Sequence, residues 1–284
     1  MRQRVSGMSQ ALVCFPAVLL ATGLTFATVV EAADAMHKRP PAEPFKVANI
    51  HFETNASACD MGIQIKFDTE GVTEGVVKDP KGRKIYSFAS AGGMKATGGQ
   101  TEGFLEGVEP QITELLSALG CAPSEEEGQS TLKDLFDAWP AGDYTLTGTR
   151  KGAKFQDKAT LTHFIPAGPE VIAPADGIVV PDAALLIQWK PVIEAILTKD
   201  PDLGPVDIVG YHVIVEEDVP DVEVTPELDV DVTSSETSVT VPAEYLNPST
   251  VYRFEVLATD ESGNQTISEG FFCTAGVAEC VVTE

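Results

Sequence analysis

Apolar and polar side chains alternate along much of this chain. Ile63, Ile65 and Phe67 are interleaved with Gln64, Lys66 and Asp68, the period of a half-buried strand. Residues 45–52 predict a strand just before it. Residues 76–88 predict a hairpin around Asp79-Pro80-Lys81-Gly82, whose residues preset or permit turn dihedrals. The glycine-rich residues 91–99 predict a loop, and no Gly-Lys-Ser/Thr ending follows that would cradle phosphate. The period then changes across residues 101–119. Ile112, Leu115, Leu116 and Leu119 fall at helical spacing, with Pro110 near the start and Gly120 at the stop. An acidic linker follows, and residues 130–138 predict a second short helix with Leu132, Leu135 and Phe136 inward. Tyr144 and Leu146 return to strand period, with residues 158–165 as the partner across Lys151-Gly152. Pro166-Ala167-Gly168-Pro169 marks a stiff boundary. Residues 45–166 therefore predict a β-rich domain, a sandwich with a helical insertion over about 101–138, with an α+β domain as the alternative.

Beyond the boundary the strands are shorter and more regular. Leu185, Ile187 and Trp189 alternate with polar or outward residues, as do Tyr211, Val213 and Val215, then Val239 and Val241, then Tyr252, Phe254, Val256 and Ala258. Such spacing predicts an all-β sandwich. The stretches Leu185-Leu186-Ile187-Gln188-Trp189, Tyr211-His212-Val213-Ile214-Val215 and Leu246-Asn247-Pro248-Ser249-Thr250-Val251-Tyr252 carry a resemblance. Residues 167–276 resemble the fibronectin type III family, and residues 277–284 form a tail. For this half the resemblance implies a fibronectin type III-like β-sandwich; with the pattern of the first half, the expectation is a mainly β chain, an immunoglobulin-like β-sandwich with a helical insertion followed by a fibronectin type III-like β-sandwich. The resemblance implies that Trp189, Tyr211 and Tyr252 are core residues, with the Tyr252 hydroxyl turned back to backbone at the corner. It implies contact-making rather than chemistry, and names no ligand. The chain as a whole is similar to bacterial exported proteins that bear one such domain.

Residues 1–35 are expected to be a cleaved signal peptide. Arg2 and Arg4 precede an uncharged apolar run over residues 11–30, and small residues follow near Ala33 and Ala35. Residues 36–44 are expected to be a proline-rich flexible lead. No later segment is long and apolar enough to predict a membrane span, so the mature chain is expected in the periplasm or outside the cell, with no membrane insertion. In that oxidising setting Cys59, Cys121, Cys273 and Cys280 are expected to form disulfides. Three connectivities are open; Cys59–Cys121 with Cys273–Cys280 keeps each pair within one segment.

The formal net charge is −24, which excludes nucleic acid as a partner. The acid is concentrated late, with Asp218, Asp221, Asp229 and Asp231 in one stretch. These four are the candidate metal ligands, with calcium the possible ion because hard cations take clustered oxygens. No EF-hand loop accompanies them, so the acids equally suit the solvent face of a strand, and no cofactor is expected otherwise. The histidines His37, His51, His163 and His212 form no paired metal motif, and no Gly-x-Ser-x-Gly elbow is present. His163, near the boundary, is the histidine singled out for a functional test. Asn55-Ala56-Ser57 and Asn264-Gln265-Thr266 match the glycosylation sequon. The expectation is a non-enzymatic binding or structural protein that contacts a protein or polysaccharide. The alternatives are a polysaccharide- or peptide-acting protein with its active part before residue 166, and a calcium-dependent adhesin.

Overall fold

The computed structural model describes residues 41–124, 128–181, 183–196, 205–219 and 226–282. The expected signal peptide, His37 and Asp221 lie outside the described residues. The first strands are β1 (Val47–Asn55), β2 (Asp60–Val72), β3 (Glu74–Lys78) and β4 (Lys84–Ala89). Inside the β3–β4 hairpin, Asp79 Oδ1 accepts from the Arg83 amide, and the Gly82 amide donates to the Asp79 carbonyl. A short helix, α1 (Gly92–Ala96), occupies the glycine-rich segment where a loop is expected.

The helical insertion starts later than its sequence pattern suggests. Gln100–Glu106 is a strand, β5, paired antiparallel to β2. Its side chains are mostly exposed on both faces, so it carries no apolar alternation; its backbone bonds to β2 decide its state. After a short bridge strand, β6 (Gln111–Ile112), comes α2 (Thr113–Leu119), ended by Gly120 in the left-handed conformation at φ 82°, where a Cβ would be strained. Then follow β7 (Gln129–Ser130) and α3 (Leu132–Ala138), capped by Thr131, whose hydroxyl accepts from the Asp134 amide. The strands β8 (Gly142–Arg150) and β9 (Ala153–Leu161) complete a four-stranded sheet in the order β4-β3-β8-β9. Between that sheet and β1-β2-β5 lies the first core, which includes Phe52, Phe67, Tyr144 and Leu146.

The second half contains β10 (Val171–Ala173), β11 (Ile178–Val180), β12 (Leu185–Trp189), β13 (Ile208–Glu217), β14 (Glu227–Thr233), β15 (Ser238–Val241), β16 (Val251–Asp260) and β17 (Gln265–Thr274). A three-stranded sheet, β10-β12-β15, covers β13, β16 and β17, and Trp189, Tyr252, Phe254 and Phe272 fill the space between. Trp189 and Tyr211 are both buried, their rings 5.2 Å apart. The Tyr211 hydroxyl accepts from the Val192 amide, and the Tyr252 hydroxyl accepts from the Asn247 amide at 2.7 Å. The buried Trp189 indole N–H has no hydrogen-bond partner among the described residues.

The two sandwiches share a sheet. β1 pairs in parallel with β17, Glu53 opposite Gln265 and Asn55 opposite Ile267. The result, among the described residues, is a ten-stranded sheet in the order β14-β13-β16-β17-β1-β2-β6-β7, with β11 also beside β17 and β5 beside β2. Asn264 closes the seam. It is fully buried, its Oδ1 accepts from the Phe52 amide, and its Nδ2 donates to Thr162 and to the Phe164 carbonyl. A glycan cannot reach that side chain in the folded protein, so the sequon at Asn264 is a structural position. Two disulfides join Cys59 to Cys121 and Cys273 to Cys280, in keeping with an oxidising environment. Among the described residues, no helix is long and apolar enough to cross a membrane.

Candidate functional site

Because side chains alternate across a strand, a shared sheet also means a shared outer face. On β16, Tyr252, Phe254 and Val256 point into the core, so Arg253 and Glu255 point out. On β17 the same alternation turns Glu269 outward, directly opposite Glu255. Asn55 and Glu53 project from β1 on this face: Asn55 Nδ2 donates to Glu269 Oε1 at 2.5 Å, and Gln265 Nε2 donates to Glu53 Oε2.

Glu216, Glu255, Glu269, Asp176 and Phe271 line a concavity of about 560 Å³ on this face. Arg253 is the one Lys or Arg in its described lining, and its Nε is 2.9 Å from Asp218 Oδ1. Like charges facing each other across a ladder destabilise it, and a desolvated carboxylate resists ionisation. Burial first, and then the charges of Glu269, Glu216 and Glu53, push the Glu255 carboxyl up to about 7. It therefore changes charge near neutral pH, unlike an ordinary carboxyl.

A second group lies where β1 meets β2 and the segment after β5. One carboxylate oxygen each from Glu53, Glu106 and Glu109 falls within 4.8 Å of the others. Gly62 makes room for it: a Cβ there would stand 2.5 Å from Glu109 Cγ. Gln64 bridges the group to His51, donating to Glu106 Oε1 at 2.9 Å while its Oε1 lies 3.0 Å from His51 Nε2. Burial holds the His51 imidazole below its usual value and pushes the Glu53 carboxyl up, the latter assisted by the charge of Glu106. Three carboxylates suit a hard divalent cation, which would take its remaining oxygens from water.

The acids nominated from sequence are placed differently. Asp218 pairs with Arg253. Asp229 pairs with His212 at 2.6 Å, on the edge strand β14, and Asp231 is exposed on the same strand. Among the described residues, no group of three potential metal ligands includes any of them. His163 stacks on Phe136 at 3.9 Å and bonds the Trp139 carbonyl through Nε2, a packing arrangement. Glu53, Glu106, Glu109, Glu255 and Glu269 were not singled out by sequence. For Glu255 the one signal is an acid set between apolar neighbours, Phe254-Glu255-Val256; the others carry none, and alternation alone does not say which strands lie side by side.

No family model and no curated protein matches this chain. Among solved structures, it is similar to the fn3 domain of human collagen alpha-1(XX) chain, at 18% sequence identity and a TM-score of 0.27, over 43% of this chain and 93% of that one.

Proposed function

We propose that this chain is an exported, non-enzymatic binding protein of the cell envelope or exterior, and that the acidic outer face of its shared sheet docks a cationic partner, a basic protein segment. The observation that supports the reading is the concavity around Glu255, where Glu216 and Glu269 place further carboxylates. A partner that brings Lys or Arg relieves their mutual repulsion, so association gains where folding alone does not. In this reading the second sandwich is a fibronectin type III-like module, supported by the burial of Trp189, Tyr211 and Tyr252, and works as a rigid scaffold.

Calorimetric titration with a basic peptide tests the proposal. Binding is expected at about pH 8 and low salt, weakened about tenfold or more by Glu255→Gln with Glu269→Gln, and weakened at about pH 5.5 as Glu255 takes up a proton. Binding that ignores both the double variant and pH would defeat it.

The Glu53, Glu106 and Glu109 group favours a second reading, in which contact depends on a divalent cation. A melting temperature raised by millimolar calcium and restored by chelator, but not raised equally by sodium chloride, would support it. Equal shifts from both salts would mean screening of self-repulsion instead.

A further inference from the structure

At one end of the seam, away from the acidic concavity, a cleft of about 630 Å³ opens between the two sandwiches. Its wall is mixed in character. Leu161, Phe164 and Pro205 supply apolar surface, and Asp207, Asp260 and Glu261 supply carboxylates. No Lys or Arg is among the described residues that line it. We propose that this cleft is a binding site for a small organic amine with an apolar, preferably aromatic, body.

Asp260 is the central residue. It is 2% exposed and is one of the residues that line the cleft. Ser262 N, Ser262 Oγ and Asn264 N donate to its Oδ1, and the Gly263 amide also donates to the carboxylate. No cation pairs with it among the described residues, and burial pushes its carboxyl up. A buried carboxylate without a counter-charge is costly, and an ammonium group supplies that charge. Asp207 and Glu261 are exposed at the rim, tied together by the bond from the Glu261 amide to the Asp207 carbonyl; they add attraction for a cation and repel an anion.

The apolar side sets the rest of the ligand. Phe164 is half-buried and lines the cleft. One face of its ring suits a hydrophobic body or the cation itself. The volume lies within the ordinary range of small-molecule sites, which favour junctions between domains. His163, beside Phe164 in the wall, is held by Phe136 and the Trp139 carbonyl.

The test uses the full chain and 2-phenylethylamine as probe, followed by calorimetry and by chemical-shift changes. 3-Phenylpropanoate, similar in shape but opposite in charge, is the comparison. The amine is expected to saturate one site. Its Kd should rise about tenfold in Asp207→Asn with Glu261→Gln, and similarly in Phe164→Ala, with Glu255→Gln leaving it unchanged. If Phe164→Ala fails to fold, the rim double variant, whose side chains are exposed, carries the test. Equal binding of amine and carboxylate, absence of saturation, or insensitivity to the rim variant overturns the proposal. Binding that responds to Glu255→Gln but not to the rim also overturns it, by placing the amine on the acidic sheet face.

Discussion

Asn264 bonds the amide of Phe52, the hydroxyl of Thr162 and the carbonyl of Phe164 from one buried side chain. Asn264→Ala removes the bonds to the Phe52 amide and the Phe164 carbonyl, while the Thr162 hydroxyl keeps Ser262 Oγ, and a buried orphan costs more than a bond contributes; a loss of about 3 kcal/mol is expected, read as a fall in Tm. Glu255 makes a different demand. Its folded midpoint, about 7, lies above the ordinary 4.5, so the folded state holds the proton more tightly. The stability it contributes is full below about pH 4.5 and is lost as pH rises through about 7, by at most about 3 kcal/mol. The buried His51 runs the other way, its contribution present above pH 6.5 and lost as pH falls. Comparison with Glu255→Gln separates the two: between about pH 5 and pH 8 the wild-type Tm should drop by several degrees relative to the variant. A constant difference between the two melting curves would show that Glu255 titrates normally.

Elements differ in how openly the sequence announces them. α2 was legible because Leu115, Leu116 and Leu119 fall at helical spacing and Gly120 ends it, although Ile112, which shares the spacing, lies in β6. β5 was not, because neither of its faces is buried enough to impose alternation. The disulfides act between elements. Cys59–Cys121 spans a sequence separation of 62, Cys273–Cys280 one of 7. In the chain-entropy account, closing the longer loop contributes about 4 kcal/mol and the shorter about 2 kcal/mol. Replacing Cys59 and Cys121 by Ser should therefore lower Tm more than replacing Cys273 and Cys280. The reverse order would mean that the short bridge, which holds the end of the described chain beside β17, does more than restrict the unfolded state.

For the whole molecule, the shared sheet implies shared unfolding. Backbone bonds from β1 to β17, together with Thr266 Oγ1 to the Pro166 carbonyl and Thr162 Oγ1 to Ser262 Oγ, tie each sandwich to the other. The two tryptophans make this measurable, since Trp139 packs on the first core and Trp189 lies within the second. Trp189→Phe removes an indole N–H that has no partner, which moderates its cost. Single-tryptophan variants should report coincident denaturant transitions, as a two-state unit requires. Transitions at clearly different denaturant concentrations would mean that the seam is too weak to couple the sandwiches.

The sequence by itself determined most of the strand periods and the sandwich pattern of the second half, because alternation and turn chemistry act over a few neighbouring residues; it left β5 unread and the first half open between a sandwich and an α+β domain. Only the tertiary structure decided that β1 would lie against β17. That contact is made by backbone groups of residues more than two hundred apart, and backbone hydrogen bonds carry no side-chain pattern to betray their partner. The same pairing gathered Glu53, Glu255 and Glu269 onto one face and opened the cleft beside Asp260. Acids that were only a large net charge along the chain thereby acquired positions, neighbours and altered proton affinities.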